Sequence, residues 1–157
     1  MELEPELLIH ASRIGDIDIL KELIKGEANL NIQDQKGYTA LIIACYHNQL
    51  PAAKLLIEAG AAINAADVNG NTALMGTVVK GYIDIAQLLI ENETDLDLQN
   101  SNGETALMFA VMFGRDELIK LLLLSGANTT ICNNQGLTAI DLAMQEGNDG
   151  ALQLLQV

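Results

Sequence analysis

The chain has 157 residues, 21 acidic and 8 basic, for a formal net charge of −13, and half of its residues are hydrophobic. A polyanion of this size is repelled by phosphate, which argues against nucleic acid and an anionic membrane as partners. The charge serves solubility first, and otherwise favours a protein partner with a basic surface.

The longest apolar run, Ala106 to Phe113, falls far short of the ~20 residues needed to cross a bilayer. The chain opens without a basic region followed by an apolar core, so no signal peptide is expected. Cys45 and Cys132 lie at different positions of a repeating unit and are expected to stay unpaired. Two free thiols fit a reducing, cytoplasmic compartment, with a periplasmic or secreted location as the alternative where a leader has been removed.

Residues 1–33 form an incomplete first unit. Leu8, Ala11, Gly15, Ile19, Leu23 and Asn31 stand 33 residues ahead of Leu41, Ala44, Asn48, Ala52, Leu56 and Asn64. Glu2, Glu4 and Glu6 suit the start of a helix, and His10 is expected to point at a neighbouring unit.

Residues 34–66 show the full pattern. Asp34 to Gly37 read as a turn, with Gly37 supplying a positive φ. Thr39 can cap a short apolar helix over 40–47. Asn48 and Gln49 interrupt it, a second helix runs over 50–59 with Pro51 near its start, and Gly60 stops it.

The same frame repeats over 67–99, 100–132 and a shorter 133–157, without insertion or deletion. Glu27 and Glu93 stand where the stop glycine is expected, and Gly26 and Asn92 precede them, so those stops are expected to shift by one residue. Glu91, Glu93, Asp95 and Asp97 alternate as a solvated face. The last unit ends inside its second helix, where Leu152, Leu154 and Leu155 are expected to be exposed. Self-association through them is a lesser alternative to a monomer.

A fixed period of this length predicts a stack of small units rather than one globule. Each helix is too short to stand alone in water, so its apolar face must bury against the next copy.

These residues resemble the ankyrin repeat family. The resemblance rests on Gly37-Tyr-Thr-Ala-Leu, Gly70-Asn-Thr-Ala-Leu, Gly103-Glu-Thr-Ala-Leu and Gly136-Leu-Thr-Ala-Ile, with Leu55-Leu56-Ile57-Glu58-Ala59-Gly60-Ala61 and Leu121 to Asn128 in the second helices. It covers nearly the whole chain and implies an all-α solenoid of about five 33-residue repeats, a single domain over 1–157, with no extensive sheet. The family's Pro after Thr is Ala40, Ala73, Ala106 and Ala139 here, and its His is Ile42, Met75, Met108 and Asp141. The usual Thr–His bond is therefore missing, and Thr138 with Asp141 can form a capping box instead.

No chemistry of the usual kinds is legible. There is no phosphate-cradling glycine loop and no close Cys/His ligand set. Cys45 and His47 are two apart on a helix, so their side chains diverge. No catalytic, cofactor or metal residue is expected, and the chain is not read as an enzyme.

The resemblance implies binding on the turn tips and the open side of the first helices. On this sequence those positions include Tyr38, Asn71 and Glu104 at the turns, and Arg13, Tyr46, His47, Val79, Lys80, Met112 and Phe113 late in the first helices. Independently of the family, two of the three Tyr and one of the two Phe fall on this surface, an apolar centre with a polar rim. Phe109 is placed on the core-facing row. Met75 and Met108 either add an adaptable patch or fill gaps between helices. The expected function is protein–protein interaction; a dedicated inhibitor or protective partner of one enzyme is the alternative, and a small-molecule enzyme or sensor is the least favoured class.

Overall fold

The structure, a computed structural model, describes residues 3–156. Ten helices follow one another: α1 (Leu3–Ile14), α2 (Ile17–Lys25), α3 (Ala40–Tyr46), α4 (Leu50–Glu58), α5 (Ala73–Lys80), α6 (Ile83–Glu91), α7 (Ala106–Met112), α8 (Asp116–Leu124), α9 (Ala139–Gln145) and α10 (Asp149–Leu155). They form five pairs. First helices pack on first helices (α1, α3, α5, α7, α9), and second helices on second helices (α2, α4, α6, α8, α10). Among the described residues there is no strand, only one isolated antiparallel bridge between Ala66 and Thr72. No described helix is long and apolar enough to cross a membrane.

Threonine starts four of the five first helices. Thr39, Thr72, Thr105 and Thr138 each accept a hydrogen bond from the amide three residues on, at 3.2–3.3 Å. This satisfies one of the donors that a helix start leaves without a partner. In α9 the box closes as expected: the Thr138 amide donates to Asp141 at 2.9 Å, and this bond holds the Asp141 carboxyl below its usual range. Behind the caps, Ala40, Leu41, Ala73, Leu74, Ala106 and Leu107 are buried in one continuous core.

The turns join the pairs. Asp34, Asp67, Asn100 and Asn133 each accept two amides of their own turn at 2.8–3.0 Å. Each turn then bonds the next. Lys36 O accepts from Val68 N at 3.1 Å, Asn69 O from Ser101 N at 2.9 Å, and Asn102 O from Asn134 N at 2.9 Å. A second ladder runs through the loops after the second helices. Asn31, Asn64 and Asp97 accept from the amides of Ala62, Asp95 and Asn128 at 2.8–2.9 Å. Asp97 is thus half-buried and structural, a correction to its reading as part of a solvated face.

Three other expectations need correction. The helix stops do not shift: α2 and α6 end in register with α4 and α8, and Glu27 and Glu93 themselves take the left-handed conformation, at φ 58 and 62. The ladder on either side holds the frame more tightly than glycine preference can move it. His10 is exposed rather than turned to a neighbour. Leu155 is buried and Leu152 and Leu154 are half-buried, because α10 packs onto both α8 and α9.

Two predictions come from these backbone constraints. A Cβ on Gly103 would meet Asn134 N at 2.8 Å, whereas one on Gly136 meets nothing within 4 Å; both have positive φ, 75 and 77. Gly136→Ala should cost about 1 kcal/mol, from φ alone, and Gly103→Ala clearly more, about 2–3 kcal/mol; equal losses in urea denaturation would refute the close-approach account. Glu93→Gly should stabilise the fold by about 0.5–1 kcal/mol, seen as a higher denaturation midpoint.

Candidate binding groove

The turn tips and the open ends of the first helices enclose a groove of about 790 Å³. Its floor is α3 and α5, with Ile42, Ile43, Tyr46, Met75, Gly76 and Val79; α1 adds Glu6 and Arg13, and the turns add Asp34, Lys36, Tyr38, Asp67 and Asn71. A smaller hollow of about 400 Å³ shares Glu6, Arg13, Asp34 and Gln35 with it.

Tyr46 dominates the groove. It closes α3 and remains 43% exposed. Its ring leans over the next pair at Gly76, where an added Cβ would lie 3.3 Å from Tyr46 Cδ2. Glycine inside a helix costs about 1 kcal/mol relative to alanine, and this close approach is what Gly76 permits. Lys80 Nζ sits 4.6 Å from the centroid of the Tyr46 ring, a cation–π contact worth about 0.5–1 kcal/mol at an exposed site. The His47 ring meets Tyr46 edge-on at 5.8 Å.

Of the residues read from the sequence, Tyr38, Tyr46, His47, Asn71 and Val79 line the groove, and Lys80 flanks it through Tyr46. Glu104, Met112 and Phe113 lie outside it. Asn71 and Glu104 are joined through Asn100, whose amide nitrogen donates to Asn71 Oδ1 at 2.9 Å and to Glu104 Oε2 at 3.1 Å. Phe113 is 49% exposed and pairs with Phe109 at 6.3 Å between centroids. Phe109 is half-buried and reaches the groove wall, so it belongs to the surface as well as to the core row. Met75 and Met108 are buried, 2% and 1% exposed; both fill gaps between helices, and Met75 also lies at the bottom of the groove.

Sequence reasoning missed Gly76, Glu6 and the role of Phe109. A signal was available for Gly76, which sits in a first helix where the other units carry His10, Ile43, Phe109 and Leu142. A small residue in a row of large ones marks a seat for another side chain.

Electrostatics separates Cys45 from His47. Burial pushes the Cys45 thiol up to about 12, an effect the Thr77 hydroxyl only partly offsets. Cys132 is exposed, and both thiols are free. His47 is exposed and its pKa is lowered, first by partial desolvation, then by repulsion from Arg13 and Lys80. A protonated buried thiol beside an uncharged surface imidazole makes no nucleophile–base pair.

A stack of short helical pairs joined by bonded turns, with an open groove along one side, defines an α-solenoid. The sequence model for ankyrin repeats (three copies) matches residues 7–100 and again residues 78–156, so the chain belongs to the ankyrin repeat family. Ankyrin repeats are in general protein–protein interaction modules. A search of curated proteins gave no match.

The lowered His47 value has a sign that can be tested. Its folded pKa lies below the ordinary 6.5, so the folded state resists protonation and His47 makes folding less favourable as the pH falls through that value. Lys80→Met should raise the His47 pKa without restoring it fully, because desolvation and Arg13 remain. Titration of the imidazole proton by NMR checks this; an unchanged value would remove Lys80 from the site's electrostatics.

Proposed function

We propose that the chain is a protein-binding module that takes an extended segment of a partner protein in this groove, acting as one monomeric repeat domain over 1–157. The observation that carries the reading is Tyr46: a large ring, 43% exposed, at the centre of a groove whose floor is otherwise aliphatic. Exposed aromatics ringed by polar groups are the usual anchors of interfaces. Phe113 extends the apolar surface beyond the groove, and the polar turn tips supply a wet rim.

The mechanism is preorganisation. The ladders of turn and loop bonds fix the groove walls before a partner arrives, so docking orders little of this chain and more of the contact energy appears as affinity. The net charge of −13 favours encounter with a partner that is basic overall. A dedicated inhibitor of one enzyme would use the same surface. It differs from an adaptor in having a single tight partner whose activity falls on mixing.

The test is affinity capture from the source cell with wild type and the Tyr46→Ala, Phe113→Ala double variant. The variant should lose the specific partner while its unfolding free energy stays within about 1 kcal/mol of wild type. Full retention of the partner by a folded double variant would overturn the surface assignment.

A further inference from the structure

The groove gathers basic groups at one end, around Tyr46. Only 8 basic residues stand against 21 acidic ones overall, yet three basic groups converge on one ring. Arg13 from the end of α1 and His47 from the end of α3 line the groove beside Tyr46, and Lys80 from the end of α5 lies over its face. A cation near a helix C-terminus suits the helix dipole. That accounts for one charge per helix, but not for their meeting at a single exposed aromatic, where they repel one another.

None of the three forms an ion pair with a described residue. Among the described residues the one salt bridge is Lys120–Glu117. Asp34 and Asp67, at the groove's other edge beside Lys36, each commit an oxygen to two amides of their own turn. Glu6 of α1 is the remaining acid in the groove, and α4, which also packs on α3, contributes no charged group to it.

We infer that Tyr46, Arg13, His47 and Lys80 form a carboxylate-recognising subsite, which takes an Asp or Glu side chain of the extended partner segment while a neighbouring apolar residue lies on Tyr46 and Val79. The inference rests on the reading of the groove as a protein-binding site and adds the chemistry of its occupant. The guanidinium offers a two-pronged donor, the ammonium a point charge, and the imidazole a third donor. Desolvation first, and then repulsion from Arg13 and Lys80, lowers the His47 pKa; an arriving carboxylate favours the charged ring against both, so binding draws a proton onto it. A partner that is basic overall, to match the acidic surface, with one acidic anchor fits both charge patterns.

The probe is a displayed library of random peptides of about twelve residues, long enough to run the groove at ~3.3 Å per residue, selected on the intact protein. Selected peptides should share an Asp or Glu beside an apolar residue. Changing that acid to its amide, or making Arg13→Met with Lys80→Met in the protein, should weaken a synthesised peptide ~10-fold or more. Affinity should rise as the pH falls from about 7.5 to about 6, and His47→Gln should abolish that rise. Peptides that need Tyr46 but ignore all three charge changes would overturn the subsite and leave the groove standing. Peptides indifferent to Tyr46→Ala would overturn both, and a selection without acidic binders also overturns the subsite.

Discussion

Consecutive turns touch backbone to backbone, and this contact sets the dimensions of everything else. Val68 N reaches Lys36 O, and the same bond recurs one unit further on and again after that. There is no room for a side chain at the contact: a Cβ on Gly37 would lie 2.6 Å from Val68 N. The turn spacing therefore fixes how closely the first helices approach, and that approach lets the Tyr46 ring extend over the neighbouring pair. The site is a by-product of a distance chosen for stability.

Much of the architecture was legible because it repeats. A single Asp or Asn opening a turn is weak evidence, but Asp34, Asp67, Asn100 and Asn133 in one frame leave few alternatives, and their bonds are the ones that residue type predicts. Reasoning from one position at a time failed at the stops of α2 and α6. There, preference for glycine in the left-handed conformation pointed to Gly26 and Asn92, yet the chain places Glu27 and Glu93 in it. The loop ladder formed by Asn31 with Ala62 and by Asn64 with Asp95 outweighs a local cost of about 1–2 kcal/mol. Tertiary context won, through bonds between residues some thirty apart that no short window contains.

The groove was only partly readable for a related reason. Periodicity says which positions share an edge, so Tyr46, His47, Val79 and Lys80 were found. It does not say how far a side chain reaches into the next unit. Phe109 looked like core because its row is core in the second and fifth pairs, where Ile43 and Leu142 are buried. The row opens at Gly76, and Phe109 reaches the space left there. The site arises where the repeat is broken, at the one first helix that carries an internal glycine, so its position lies in the differences between copies.

At the cap position of the second helices, Gln49, Arg115 and Asn148 each donate to a carbonyl in the first helix of the preceding pair, at 3.1, 2.8 and 3.1 Å. Tyr82 occupies the same position between the second and third pairs and makes no such side-chain bond among the described residues. That joint is held there by the packing of α3 on α5 and by the contact of Lys80 with the Tyr46 ring. The turn bond from Val68 to Lys36 and the loop bond from Asp95 to Asn64 lock the same joint at its two ends. The groove is thus braced from both ends of the joint, and the side chains at its centre are left for contact with an incoming chain.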